Sequence, residues 1–202
     1  MSERVKSMLG AVNFSTPKTR ILSVTLTAVM TAMYFVCDRF LTFYILGNSV
    51  KIGFSFVPVV VSAMMCGPIS SMLTAGLGDL LGSLLMPVGT PMPLLTVTAA
   101  LSGLVFGLFL YGCGCGRSFT VKKTVVRAIC AVVINQLVFS IVCNTFALAI
   151  LFSPDAVMSY FFVSLPSRAI KAAVMIPIEV VFIMLFRRMP SMIFHYQNKQ
   201  QI

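Results

Sequence analysis

Arg168 and Lys171 stand three residues apart near the start of the apolar run SLPSRAIKAAVMIPIEVVFIMLF, with Glu179 further in. Residues at i and i+3 share a helix face, so the two cations project together. Pro166 fits the first turn of a helix, where the macrodipole is positive and cations are ill placed. A bound anion relieves that arrangement; snorkelling of both side chains to lipid headgroups is the alternative. Arg39 and Lys51, on the same side of the membrane in the topology argued below, extend the set to donors for one or two carboxylates. Phe40, Phe43, Tyr44, Phe54 and Phe56 supply rings nearby in sequence.

Other chemistry is sparse. The chain has 5 Asp and Glu residues, namely Glu3, Asp38, Asp79, Asp155 and Glu179, and no two share helical spacing on one span. Acid–base pairs and carboxylate-held metals therefore have little to work with. The single histidine, His195, is in the C-terminal tail, so serine and cysteine nucleophiles lack a nearby base. Cys113 and Cys115 in YGCGCGRS are spaced too closely for an ordinary zinc pair. No Gly-Lys-Ser/Thr loop is present to cradle a nucleotide phosphate. These readings predict no enzyme, no metal and no cofactor.

Polar residues inside apolar runs are the better guide, because lipid penalises each one that does not face the bundle interior or a cavity. Ser71, Ala75, Asp79 and Ser83 recur every four residues as one small, polar stripe, with Gly78 and Gly82 beside it. Asp79 serves either a helix seam or a ligand. Of the amides, Asn144 lies toward the outer end of its run and suits a ligand, whereas Asn135 and Gln136 sit deeper and read as interhelical glue.

The elements that must position these groups follow from composition. A chain of 202 residues that is 58% hydrophobic and 10% charged, with a mean hydropathy of +1.00, is an integral membrane protein. Its apolar runs are continuous rather than alternating, which predicts helices and not a barrel. Six runs are expected, near Arg20–Cys37, Lys51–Cys66, Pro68–Met86, Met92–Gly112, Val121–Phe152 and Ser159–Arg188. The second is short and contains Pro58. Gly67 and Pro68 predict a tight helical hairpin between the second and third.

The formal net charge of +10 is segregated rather than spread. Arg4, Lys6, Lys18 and Arg20 precede the first run; Arg117, Lys122, Lys123 and Arg127 surround the fourth loop; Arg187, Arg188 and Lys199 follow the sixth. Six spans put all three clusters on one side, which the positive-inside rule makes cytoplasmic. Both termini are then cytoplasmic, in a single membrane domain over 1–202 with polar tails at 1–19 and 190–202. The first run ends in YFVCDRF with no small-residue cleavage site, which predicts a retained helix rather than a signal peptide.

The segments DRFLTF, KIGFSFVPVVVSAMMCGPISSMLTAGLGDLLGSLLMPVG, LTVTAALSGLVFGLFLYG, CNTFALAILF and LPSRAIKAAVMIPIEV resemble successive spans of the S components of energy-coupling factor (ECF) vitamin transporters, with the folate-type subfamily the nearest. The likeness runs from about Thr25 to Phe186. It implies an all-α bundle of six transmembrane helices in a bacterial plasma membrane, binding a vitamin near the outer face and working with a scaffold membrane subunit and two ATPases. It further implies that Ala28 and Ala32 form a small-residue face docking on the scaffold, and that the outer loops at Leu46–Val50 and Pro87–Pro93 close over the vitamin. With folate as cargo, a flat pterin needs rings and hydrogen bonds from Asp79 or Asn144, and a glutamate tail needs Arg39, Arg168 and Lys171. Lys51 and Phe54 complete the expected site. An S component for another vitamin or a nucleobase-like compound, and a lipid-processing membrane enzyme, are the alternatives.

Overall fold

The computed structural model describes residues 17–45, 50–86, 93–111, 121–152 and 157–186. Its elements are α1 (Pro17–Phe40), β1 (Thr42–Ile45), β2 (Val50–Gly53), α2 (Phe56–Cys66), α3 (Pro68–Leu85), α4 (Pro93–Leu110), α5 (Val121–Ile134), a π-helical segment (Asn135–Cys143), α6 (Asn144–Phe152) and α7 (Val157–Phe186). Because α5, the π segment and α6 run on as one rod, the six expected spans correspond to six helical units. Five of them are long and apolar enough to cross a membrane. Their outward faces carry Ile21, Val24, Val29, Leu84, Leu101, Val126, Val163 and Leu185, all exposed in the isolated chain, as a lipid-facing surface requires.

The second span departs from its expected extent. Residues from Lys51 do not begin a helix: TFYI and VKIG, rich in β-branched and aromatic side chains, pair as an antiparallel hairpin with Phe43 opposite Ile52 and Tyr44 opposite Lys51. Only the 11 residues of α2 remain helical, about 16 Å at 1.5 Å per residue, too short to cross a bilayer core of about 30 Å. Enclosure by the bundle compensates for the short length. Phe56, Pro58, Val59, Val60, Val61, Ser62, Ala63 and Met64 are all buried, and Val59, Val60, Ala63 and Met64 form the core with Phe106, Leu110, Ala128, Val132, Met175 and Ile183.

The expected break between the second and third spans is a corner at Gly67, whose φ of 97° favours glycine. Pro68 then opens α3, where its missing N–H costs nothing. The most extensive contact is between α3 and α4. Gly103 and Gly107 let the two backbones meet: a Cβ on Gly103 would strike the Ser71 carbonyl oxygen, and one on Gly107 the Pro68 Cα. The Ser71 hydroxyl lies 2.8 Å from the Gly103 carbonyl oxygen. Ser71 and Ala75 of the predicted stripe are buried in this seam.

The sixth span has close to its expected extent, but Pro166 does not open its helix. Its helix begins at Val157, so Pro166 and Pro177 lie inside it and Arg168 is on its fourth turn, away from the positive dipole end. Transmembrane helices tolerate such prolines where neighbouring groups re-satisfy the backbone. The argument from an awkward cation at a helix start therefore lapses, and the placement of Arg168 and Lys171 has another cause.

Candidate functional site

That cause is a cavity of about 640 Å³ inside the bundle, with Gly53 of the hairpin among its lining residues, within the ~300–1,000 Å³ typical of small-molecule sites. One wall is α7, which contributes Ser164, Ser167, Arg168, Lys171, Met175 and Glu179. The spacing is helical, so a single face carries them all, with Glu179 about 16 Å along the helix from Arg168 at 1.5 Å rise per residue. Arg168 Nη1 donates to the Ser140 carbonyl oxygen at 3.2 Å, which turns the guanidinium inward from the lipid.

The facing wall is built by α1, α3 and α4. Tyr34 and Asp38 of α1, Asp79 of α3, and Thr98, Ser102 and Phe106 of α4 line it. Tyr34 fits because Gly78 has no side chain to obstruct its ring. The Thr96 hydroxyl donates to Asp79 Oδ2 at 2.8 Å, fixing the carboxylate. The Thr98 hydroxyl, with one proton to give, lies 2.7 Å from the Leu95 carbonyl oxygen and 3.1 Å from Asn144 Oδ1.

The π segment supplies the third wall: Asn135, Gln136, Phe139 and Ser140, followed by Asn144. In an α-helix, Asn135 and Asn144 would be 2.5 turns apart and on opposite faces. Turns closed i→i+5 make that interval about two, which brings both onto the cavity face. Sequence reasoning separates them by depth in the span, giving Asn144 to a ligand and Asn135 and Gln136 to interhelical packing.

Of the expected site residues, Asp79, Asn144, Arg168 and Lys171 come together around this cavity. Arg39 and Phe54 are not among its lining residues. The Arg39 guanidinium lies over Gly82, its Nε 3.7 Å from Asp38 Oδ2, which places it in the α1–α3 seam. Phe54 packs in an aromatic cluster with Phe56 and Phe182, both partner centroids of Phe182 being 5.7 Å away. The Lys51 side chain, Cys113 and Cys115, and the loop residues between 46 and 49 and between 87 and 92 lie outside the described residues. Tyr34, Asp38, Phe139 and Ser140 were not anticipated; Asp38 carried a signal, being an intramembrane carboxylate. No group of three or more His, Cys, Asp or Glu capable of holding a metal exists among the described residues.

Ala28 and Ala32 are away from the cavity, exposed on the outer face of α1. Thr27 and Thr31 beside them turn their hydroxyls back onto the Ser23 and Thr27 carbonyls, each at 2.8 Å, so this face presents little free polarity.

Comparison with known proteins decides the family. Residues 18–188 match the family described as ECF-type riboflavin transporter, S component. The chain belongs to this S-component family. It is 32% identical over 156 residues to the folate transporter FolT of Clostridium novyi (strain NT), covering 77% of this chain and 82% of that protein. The crystal structure of FolT bound with folic acid superposes with a TM-score of 0.65 at 26% identity, over 79% of this chain and 88% of that one. The S component of a bacterial ECF transporter, at 22% identity and a TM-score of 0.55, covers 86% of this chain and 98% of its own and supports the fold alone. The chain thus shares the S-component fold.

Proposed function

We propose that this S component captures folate in the cavity between α1, α3, α4, the π segment and α7, and passes it to an ECF module of one scaffold subunit and two ATPases. The observation that carries the reading is the pair Arg168 and Lys171 on a cavity wall. Folate ends in a glutamate with two carboxylates, and two cations on one wall match them. Phe56, Phe106 and Phe139 offer rings for the flat pterin and aminobenzoyl groups, and Asp79 or Asn144 offers hydrogen bonds. The named relative is a folate transporter, in agreement with that chemistry. The chain is then a single membrane domain of the bacterial plasma membrane with cytoplasmic termini, the cavity facing outward, and Ala28 and Ala32 docking on the scaffold. It performs no catalysis of its own.

Riboflavin is the competing cargo, favoured by the description of the matching family. It carries no carboxylate and so offers neither cation an anionic group. Calorimetry on the purified protein compares the two vitamins directly. Folate is expected to bind at least about 100-fold more tightly than riboflavin, on the order of 2.7 kcal/mol; tighter binding of riboflavin would overturn the assignment.

A further inference from the structure

The floor of the cavity holds a second group of polar side chains that the cations and Asp79 leave unexplained. Glu179, 2% exposed, and Gln136, 5% exposed, meet there: Gln136 Nε2 donates to Glu179 Oε1. That bond uses an amide donor and leaves acceptors over. Glu179 Oε2, Gln136 Oε1 and Asn135 Oδ1 are buried without a hydrogen-bond partner, and all three residues line the cavity. A buried carboxylate oxygen with no donor is costly, and three acceptor oxygens facing a ligand cavity suit a ligand edge made of N–H groups.

We infer that Glu179, with the amide oxygens of Gln136 and Asn135, forms an acceptor-rich subsite that selects ligands whose ring ends in adjacent N–H donors. This deepens the folate reading and rests on it. A 2-amino-4-oxopteridine presents its amino group and ring N3–H side by side, a pair that one carboxylate accepts as a fork. The dione edge of a flavin places carbonyl oxygens on both sides of its single N–H, so it would set acceptors against acceptors. The inference therefore also accounts for discrimination between the two vitamins. The ring end lies at the floor, and the carboxylate tail lies about 16 Å away toward Arg168 at 1.5 Å per helical residue.

The test compares folate with 2-desamino-2-methylfolate, which keeps the rings and tail but lacks the amino donor, on the wild type and on Glu179→Gln. The wild type is expected to bind folate at least about 30-fold more tightly than the analogue, the range of a hydrogen bond to a charged group. In Glu179→Gln that ratio should fall below about threefold, with folate binding weakened and analogue binding little changed. Equal wild-type affinity for the two ligands overturns the inference without reference to any variant, as does a ratio that survives in a Glu179→Gln protein of unchanged melting temperature. In the latter case the Gln136–Glu179 pair is only a clamp between helices. A wild type that binds no folate overturns both the inference and the folate reading, so the two failures are told apart.

Discussion

Arg168 and Lys171 illustrate how a residue's neighbours decide its role. In isolation, a cation near the end of an apolar run extends to the headgroups, at small cost to anything else. Here Arg168 is turned inward by its bond to the Ser140 carbonyl, and Lys171 lines the same wall. If both pair with ligand carboxylates shielded from water, Arg168→Gln or Lys171→Gln should each cost about 2–4 kcal/mol, because the ligand anion is left without its partner. Calorimetry should then record a loss of ~30- to 1000-fold in folate affinity. A change under about threefold in both variants would reject the anchoring role. Arg39 provides the contrast: its guanidinium rests over Gly82 beside Asp38, so Arg39→Gln is expected to alter thermal stability more than affinity.

At the scale of elements, two close approaches make separable predictions. The α3–α4 seam has no room for a side chain on Gly107, where even a Cβ meets Pro68. Gly107→Leu should cost at least about 1–3 kcal/mol through overpacking, read as a melting temperature lowered by several degrees in detergent. Leu108→Ala, on the exposed side of the same helix, should leave it nearly unchanged. The outer face of α1 makes the opposite demand. Ala28 and Ala32 are exposed there, so bulk is tolerated by the isolated chain and would obstruct only a helix that packs closely against it. Ala32→Trp should therefore keep folate binding and lose uptake in cells containing the complete complex. Normal uptake by this variant would remove the docking role from α1. The π segment is a third case: its wide turns place Asn135, Gln136 and Asn144 on one face, which no reading by α periodicity foresees.

For the molecule as a whole, the segregation of basic residues and the position of the cavity make one joint prediction. The hairpin, the ends of α3 and α6 and the starts of α4 and α7 share one end of the bundle, because successive spans alternate in direction. The basic clusters flank, in sequence, the starts of α1 and α5 and the ends of α4 and α7, and the positive-inside rule makes that side cytoplasmic. A cysteine at Phe43, exposed on the hairpin, should react with an impermeant reagent added outside cells, in a background without native cysteines. One at Ser118, between α4 and α5, should not. Labelling of Ser118 alone would invert the bundle and put the cavity on the cytoplasmic side.

Six helical units, their order and their membrane setting were legible in the sequence because lipid imposes a simple constraint: long, continuous apolar runs with few charges. Gly67–Pro68 marked its corner for a similar reason, since few residues suit that backbone. The intramembrane charges Asp79, Arg168 and Lys171 and the amide Asn144 stood out because each is expensive in lipid. Direction was a different matter. Whether Arg39 faced a cavity or a seam, whether Lys51 began a helix or a strand, and whether Gln136 served packing or the cavity depended on contacts between segments far apart in the chain. Pro166 was compatible with a helix start and with a helix interior, and only packing against neighbouring segments chose the interior. The sequence by itself determined which groups had to be kept from lipid; the tertiary structure alone decided which of them converge on one cavity, because convergence depends on helix rotation and on the π-turns that set it.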